Sequence, residues 1–412
     1  MKPANQNDLG LLGLGHLNMI YMALKMVEYE FNRTRELINI MIIEEPEAHI
    51  HTHIQRTLFD KLSISTDYTQ IIMTTHSTYL SEVSEISKVN ILKTKDNLSY
   101  AMTPIYGLDE FGEDNLKIKN FKLSKCIERY LDVKRSVLLF SKGVILVEGD
   151  GEEILIPNMV KNAFGVSLDE LGIGLINVGS TAFEYIACLF ADDRINRYCS
   201  IITDMDKQVV DSEDTFFKAT AETKGIGRKD KLDGLFSSNT WVESFYAEST
   251  LEIEFSKHAG NLKYIKEIIG KSYNQKATII KHKSALKGTD SQKASTILTL
   301  ADNIGKGWYA ILLSNEMDCN IQIPDYILQA IAFSCQEIIS IDILIEIIEY
   351  SLERYGDDEQ AIALSKLISS VESFNDKKLF IIKFVTELSN DIVSKFISQL
   401  IKYIDWLGEC CE

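Results

Sequence analysis

The residues best placed to do chemistry are acids at the ends of two short apolar runs. Residues 143–153 read GVILVEGDGEE: an apolar stretch stops on Glu148, and Gly149 and Gly151 follow. Residues 199–202 form a second apolar stretch that ends in Thr203-Asp204-Met205-Asp206. A buried strand that delivers an acid onto a glycine turn exposes the carboxylate at the carboxyl edge of its sheet, where open α/β sheets place their ligands. In an extended Asp-x-Asp both side chains fall on one face, and Glu152 lies one helical turn beyond Glu148. Acids gathered this way repel one another unless a hard cation sits among them, and an all-oxygen set suits Mg²⁺ or Mn²⁺. The plain alternative is that they are surface acids at strand ends.

The elements that must position these acids follow in a fixed order. A strand ending in Glu-Gly leads to a helix, a third strand (residues 174–178), a second helix (about residues 183–191) and the strand ending in Asp-x-Asp. This order resembles the Toprim fold of topoisomerases, primases and certain nucleases. In that fold the glutamate and the two aspartates hold the catalytic metals.

Residues 1–105 carry a second set of signals. Residues 37–43 read as a strand that runs into Glu44-Glu45-Pro46-Glu47, the Walker B arrangement. There the first acid holds the Mg²⁺ of a nucleotide and the second polarises the attacking water. A helix over about residues 53–62 and a strand over residues 70–74 follow, and then His76, which can reach a γ-phosphate. Upstream, Gly13-Leu14-Gly15 precedes an apolar helix (about residues 16–29), and a glycine-rich helix N-terminus is an anion site. Together these segments resemble the C-terminal half of an ABC-type ATPase head. In that resemblance residues 12–16 stand for the signature loop facing the opposing head's ATP, Glu44 and Glu45 for Walker B, and His76 for the switch histidine. No GxxxxGK[ST] is present. Gly270-Lys271-Ser272 is a decoy, because position 265 is Ile. The expectation is therefore a lobe that begins in mid-domain, with ATP bound only alongside a Walker A-bearing polypeptide or a missing segment.

Beyond the Asp-x-Asp strand stand Thr250-Leu251-Glu252, then Gly305-Lys306-Gly307-Trp308-Tyr309-Ala310, then Pro324-Asp325-Tyr326-Ile327. A partial ABC-type lobe followed by a Toprim with these three motifs resembles the OLD (overcoming lysogenisation defect) family of nucleases, which includes the nuclease subunit of the Gabija anti-phage system. The resemblance covers about residues 10–330. It implies Glu148, Glu152, Asp204 and Asp206 as ligands of two divalent metals, with Glu252 as a further candidate. It implies Lys306 as the catalytic lysine and Glu148 as catalytic too. It also implies DNA as substrate, a homo-oligomer of two or more copies, and a role in anti-phage defence.

The fold expected is α/β. A partial ABC-ATPase lobe (1–105) and a helical connector (106–142) precede a mainly parallel, Rossmann-like Toprim domain (143–330) and a C-terminal helical region (331–412). The chain has 412 residues, enough for two or three domains, and 45% are hydrophobic. Seven cysteines form no CxxC. With a polar N-terminus and no membrane-length apolar run, they point to reduced thiols in the cytoplasm. A net charge of −17 argues against a chain that coats DNA along its whole surface. Locally the balance reverses: from Lys257 to Lys306 there are ten lysines and three acids. That stretch is either a solvated face or a track for a phosphate backbone. Residues 224–231, KGIGRKDK, read as a basic, glycine-containing loop.

The function expected is a metal-dependent DNA endonuclease. One alternative is a non-cleaving regulatory module that only binds DNA. The other is a topoisomerase, which needs a tyrosine nucleophile that nothing singles out among seventeen tyrosines.

Overall fold

The computed structural model describes residues 13–404, apart from 35, 65–68, 79–85, 96, 119–121, 132–134, 192–193, 210–214, 357 and 369–370. Leu12 of the expected signature loop lies outside them. The chain divides into two compact units, residues 1–140 and residues 141–412.

In the first unit α1 (Leu14–Asn32) precedes β1 (Asn39–Glu44), α2 (Thr52–Ile64) and β2 (Thr69–Thr74). β1 and β2 pair in parallel with Glu44 opposite Thr74, so Glu45 and His76 leave the sheet at the same edge. Both strands alternate half-buried and exposed residues, and α1 buries none. An antiparallel hairpin of β3 (Ile91–Lys95) and β4 (Leu98–Met102) follows. Next come α3 (Leu108–Asn115), α4 (Leu123–Tyr130) and a 3₁₀ turn at Arg135–Leu139. The expected connector is thus two short helices and a turn.

The second unit is built on four parallel strands: β5 (Gly143–Val147), β6 (Ile173–Asn177), β7 (Cys199–Asp204) and β8 (Val242–Ala247), in the order β6-β5-β7-β8. β5 is buried along its whole length, as expected of a continuous apolar run inside a parallel sheet with both faces covered. α5 (Asp150–Phe164) and the short α6 (Glu184–Ala187) serve the first crossovers, and α7 (Thr215–Phe236) the third. The chain moves from β5 outward to β6, then back across to β7. The switch point therefore lies between β5 and β7, where ligands of open α/β sheets bind.

Residues 224–231 are not a loop: they lie inside α7. One of the two glycines that suggested a turn serves packing instead. A Cβ on Gly225 would stand 2.3 Å from the Met205 carbonyl oxygen, so only glycine lets α7 lie directly on the Asp-x-Asp turn.

Helices α8 (Leu251–Lys257), α9 (Leu262–Ser272), α10 (Lys276–Ala285), α11 (Asp290–Ile304) and α12 (Lys306–Glu316) follow β8. α13 (Asp325–Cys335) then crosses the sheet at close range. The Ser334 hydroxyl donates to the Val144 carbonyl (2.9 Å) and the Ser200 hydroxyl to the Ala330 carbonyl (2.7 Å). A Cβ on Gly143 would meet the Ser334 carbonyl oxygen at 2.1 Å. α14 (Ile341–Glu353), α15 (Glu359–Ile368), α16 (Phe374–Glu387) and α17 (Ile392–Leu400) complete the unit. Their buried residues belong to the same hydrophobic core as β5 and α5, and Phe396 of α17 packs on Phe164 of α5 at 4.8 Å. The division expected at residue 330 falls within α13, which continues through it.

Candidate active site

The parallel register sets the geometry of the carboxylates. Leu146 pairs with Ile201, so Glu148, just past the end of β5, lies level with Thr203 near the end of β7. The Thr203 hydroxyl donates to Glu148 Oε2 at 3.4 Å. Glu152 rises from the first turn of α5, and Glu252, only 6% exposed, from the first turn of α8. Asp206 takes a left-handed backbone (φ 54°), which turns the chain sharply after the Asp-x-Asp.

These acids feel one another. Burial raises the Glu152 carboxyl to about 7, and the carboxylates of Glu252 and Glu148 add to the effect, while Lys306 opposes it. Burial likewise holds Asp204 well above the ordinary carboxylate range, reinforced by Glu152, Glu252, Glu148 and Asp206. Lys306, the first residue of α12, is raised in turn, chiefly by Glu252 and also by Asp204 and Glu152. Glu148, Glu152, Asp204, Asp206, Glu252 and Lys306 thus share one electrostatic neighbourhood at the switch point.

Sequence reasoning missed Arg228, which projects from α7 into this neighbourhood. Its guanidinium lies 3.9 Å from Glu148 Oε2 and 3.6 Å from Asp206 Oδ2, and it donates to the Asp204 carbonyl. It also missed two tyrosines. The hydroxyls of Tyr309 and Tyr326 are buried; burial raises both, helped by Glu252 at Tyr309 and first by Asp204 at Tyr326. Both lie within motifs the sequence singled out, but there only the lysine drew a role. On the other side, Asn177 at the end of β6 donates to Asp150 and Glu153, each at 2.8 Å, and so braces the start of α5.

Among the described residues, no three His, Cys, Asp or Glu side chains are already drawn together as an ion's ligand shell. The surroundings nonetheless fit a cation. Asp204 Oδ1, Thr250 Oγ1 and the Tyr309 and Tyr326 hydroxyls are all shielded from solvent without a hydrogen-bond partner. Buried polar atoms are rarely left this way. A hard cation with its bound water supplies what they lack, and the donor set is all oxygen.

In the first unit Glu45 also has a left-handed backbone (φ 42°), and its Oε1 lies 3.3 Å from His76 Nε2. Glu47 accepts from the Thr75 hydroxyl (2.5 Å) and the His76 amide (3.0 Å). Gly13 caps α1, and a Cβ on Gly15 would stand 2.1 Å from the His49 carbonyl oxygen, so the helix start sits against the turn after Glu44 and Glu45. A cleft of about 620 Å³ opens between them, lined by Leu14, Asn18, Tyr21, Glu44, Glu45 and His49 among others.

Residues 139–206 match the family model described as "Overcoming lysogenization defect protein-like, TOPRIM domain". The chain carries an OLD-like Toprim domain. Residues 5–80 match an AAA ATPase domain. Endonuclease GajA of Bacillus cereus is 23% identical over 267 residues, which are 60% of this chain and 36% of that protein. An OLD nuclease of Thermus scotoductus is 28% identical over 183 residues, 43% of this chain and 33% of that protein. The chain thus spans about a third of the length of the curated relatives it matches. The C-terminal region of the Burkholderia pseudomallei OLD protein is 24% identical with a TM-score of 0.37, covering 48% of this chain and 100% of that one. The corresponding region from Xanthomonas campestris pv. campestris gives 24%, 0.34, 48% and 95%. No helix among the described residues is long and apolar enough to cross a membrane.

Proposed function

We propose that residues 141–412 act as a divalent-metal-dependent DNA endonuclease and that the first unit couples this activity to ATP. One observation carries the reading: acids at the ends of β5 and β7 and in the first turns of α5 and α8 share one site with the Lys306 ammonium at the switch point of a parallel sheet. The OLD-like Toprim match and the names of the relatives support it.

In this reading Glu148, Glu152, Asp204 and Asp206 hold Mg²⁺ or Mn²⁺, with Glu252 beside them. Such ions, when bound, supply an activated water and charge compensation at the leaving oxygen. Lys306 neutralises charge growing on the scissile phosphate, the kind of placed charge that dominates phosphoryl chemistry. Arg228 holds Glu148 and Asp206 in place from the side, and the buried tyrosines keep bulk water away.

The nucleotide part rests on Glu44 and Glu45 as a Walker B pair, His76 as switch histidine and the Gly13–Gly15 helix start, with Walker A supplied from outside the lobe. The exposed apolar surface of the first unit supports that arrangement: Phe31 and Ile38 are 89% and 88% exposed, and Ile42 of β1 is 66% exposed. Apolar patches of that kind mark docking surfaces. The resemblance to the OLD family is what supports a role in anti-phage defence.

The test is a supercoiled plasmid incubated with Mg²⁺ or Mn²⁺. Nicked or linear product is expected from the wild type and none from a folded Asp204→Ala variant. Cleavage by that variant at the wild-type rate would remove the site.

A further inference from the structure

The lysine-rich stretch looks uniform in sequence, but the structure divides it. Lys257 pairs with Glu248 (2.9 Å) and Glu254 (2.8 Å), Lys263 with Asp318 (2.7 Å), Lys271 with Glu316, and Lys293 with Asp290 (3.0 Å). Lys306 faces the carboxylate site. Lys266 on α9 and Lys276, Lys281, Lys283 and Lys287 have no ion pair among the described residues, and the last four lie on α10 or just after it. No acid falls between Glu267 and Asp290.

α10 is built to face outward. It has no buried residue, and Lys276, Lys281 and Lys287 are exposed. The exposed positions of the helix, 276, 277, 280, 281 and 284, recur at helical spacing on one face. Among these lysines Ile280 is 66% exposed. At the helix's flank the rings of Tyr273 and His282 stack at 4.7 Å with 10° between planes, which stiffens that edge.

The helix also sits in the right layer. α10 packs against α9 and α11, and α11 packs on α8, which carries Glu252. α11 ends at Gly305, so Lys306 begins the next helix at once. The same helical layer therefore presents an unpaired basic face and delivers two residues of the candidate site. On a chain of net charge −17 a cationic face of this kind is a local exception.

We propose that the outer face of α10, through Lys276, Lys281 and Lys287 with Lys283 behind them, is a track for the phosphate backbone of duplex DNA leading to the carboxylate site. The inference rests on the nuclease reading. Lysines act as compact point charges without the planar fork that reads base edges or grips phosphate in two places. The contact is therefore to backbone and independent of sequence.

Two triple variants of the full chain test it, each removing three positive charges from the same stretch. K276A/K281A/K287A removes three exposed unpaired lysines; K263A/K271A/K293A removes three of the four paired ones. Binding to a labelled duplex is measured with EDTA present, across salt from about 50 to 200 mM. Loss of three phosphate contacts lowers the steepness of log K against log salt by about 2.7. That change is expected in the first variant, while the second stays close to wild type. Plasmid cleavage with Mn²⁺ is followed in parallel. If the wild type cuts and both variants bind with wild-type affinity and slope, the track is overturned and the nuclease reading stands. If the first variant alone loses affinity but the wild type never cuts, the track stands and the nuclease reading falls. Tighter binding of single-stranded RNA than of duplex at equal charge would overturn the assignment to duplex DNA.

Discussion

Arg228 and Asp206 face each other at 3.6 Å across the junction of α7 with the Asp-x-Asp turn. The same guanidinium lies 3.9 Å from Glu148, so one cation from α7 bridges acids at the ends of β5 and β7. In the absence of metal it is the positive charge placed to offset their repulsion. Arg228→Met should destabilise the metal-free protein by about 1–2 kcal/mol, a figure discounted because both carboxylates are over a third exposed. Saturating Mn²⁺ should restore much of the loss, because the ions take over the neutralising role. Thermal melts in EDTA and in Mn²⁺ check this. Equal melting of variant and wild type in EDTA would show that the guanidinium is not what balances these acids.

The raised carboxyl of Glu152 makes stability depend on pH in a definite direction. Its value in the fold is about 7 against an ordinary 4.5. The folded state therefore binds the proton more tightly than the unfolded chain does, and stability is lost as pH rises from about 4.5 to 7. Full linkage for that shift amounts to about 3 kcal/mol. Metal-free wild type should melt lower at pH 8 than at pH 5, and Glu152→Gln should reduce the difference, leaving the part that the raised Asp204 carboxyl contributes. Divalent metal should stabilise far more at pH 8 than at pH 5, since binding must displace the proton. A pH-independent melt of the wild type in EDTA would contradict the burial assigned to this carboxyl.

Much of this arrangement is legible in sequence because strands that end on acids leave a local mark. Val144–Val147 and Cys199–Ile202 are continuous apolar runs, and their parallel pairing puts Glu148 and Asp204 at one edge without help from distant residues. Arg228 left no such mark. It sits in KGIGRKDK, where two glycines and four basic residues argue for a mobile turn by local propensity. Tertiary contact overrides that preference, since Gly225 permits an approach to Met205 that any other residue would block. Tyr309 and Tyr326 were hidden differently: a buried tyrosine in an apolar helix reads as core, and only its depth beside the acids distinguishes it. The hold of α13 on the sheet also escaped notice, because it rests on hydrogen bonds spanning more than a hundred residues, such as Ser334 to Val144.

The close approach of α7 makes a paired test of two neighbouring glycines. Gly225→Ala brings a methyl group to 2.3 Å from the Met205 carbonyl oxygen, so either helix or turn must move. A loss of about 1–3 kcal/mol in stability is expected, with cleavage falling as Arg228 is pulled from the acids. Gly227→Ala meets nothing within 4 Å and should gain about 0.4–1 kcal/mol by restricting the unfolded chain. Chemical denaturation of both variants, with plasmid cleavage alongside, decides the matter. If Gly225→Ala is as stable and as active as Gly227→Ala, the packing of α7 does not position the site.

Lys306 and Lys271 separate chemistry from charge. Both are lysines of the same basic stretch, and each follows a glycine. Lys271 is tied to Glu316 on the outside of α9 and α12, away from any role among the acids. Lys306 instead feels Glu252, Asp204 and Glu152. If its ammonium compensates charge on the reacting phosphate, its removal costs on the order of 3 kcal/mol in the transition state, or about a hundredfold in rate. It is not a ligand, so Lys306→Ala should still bind Mn²⁺ and should bind DNA almost normally. Its loss also removes the cation that opposes the rise of the Glu152 carboxyl, so the pH at which Mn²⁺ binds should move upward. Lys271→Ala should leave both the rate and that pH unchanged. Single-turnover cleavage of one labelled duplex, with Mn²⁺ binding followed across pH, reads both effects at once. Equal loss of rate in the two variants would make Lys306 one more member of a basic surface, and the role given to it at the phosphate would fall.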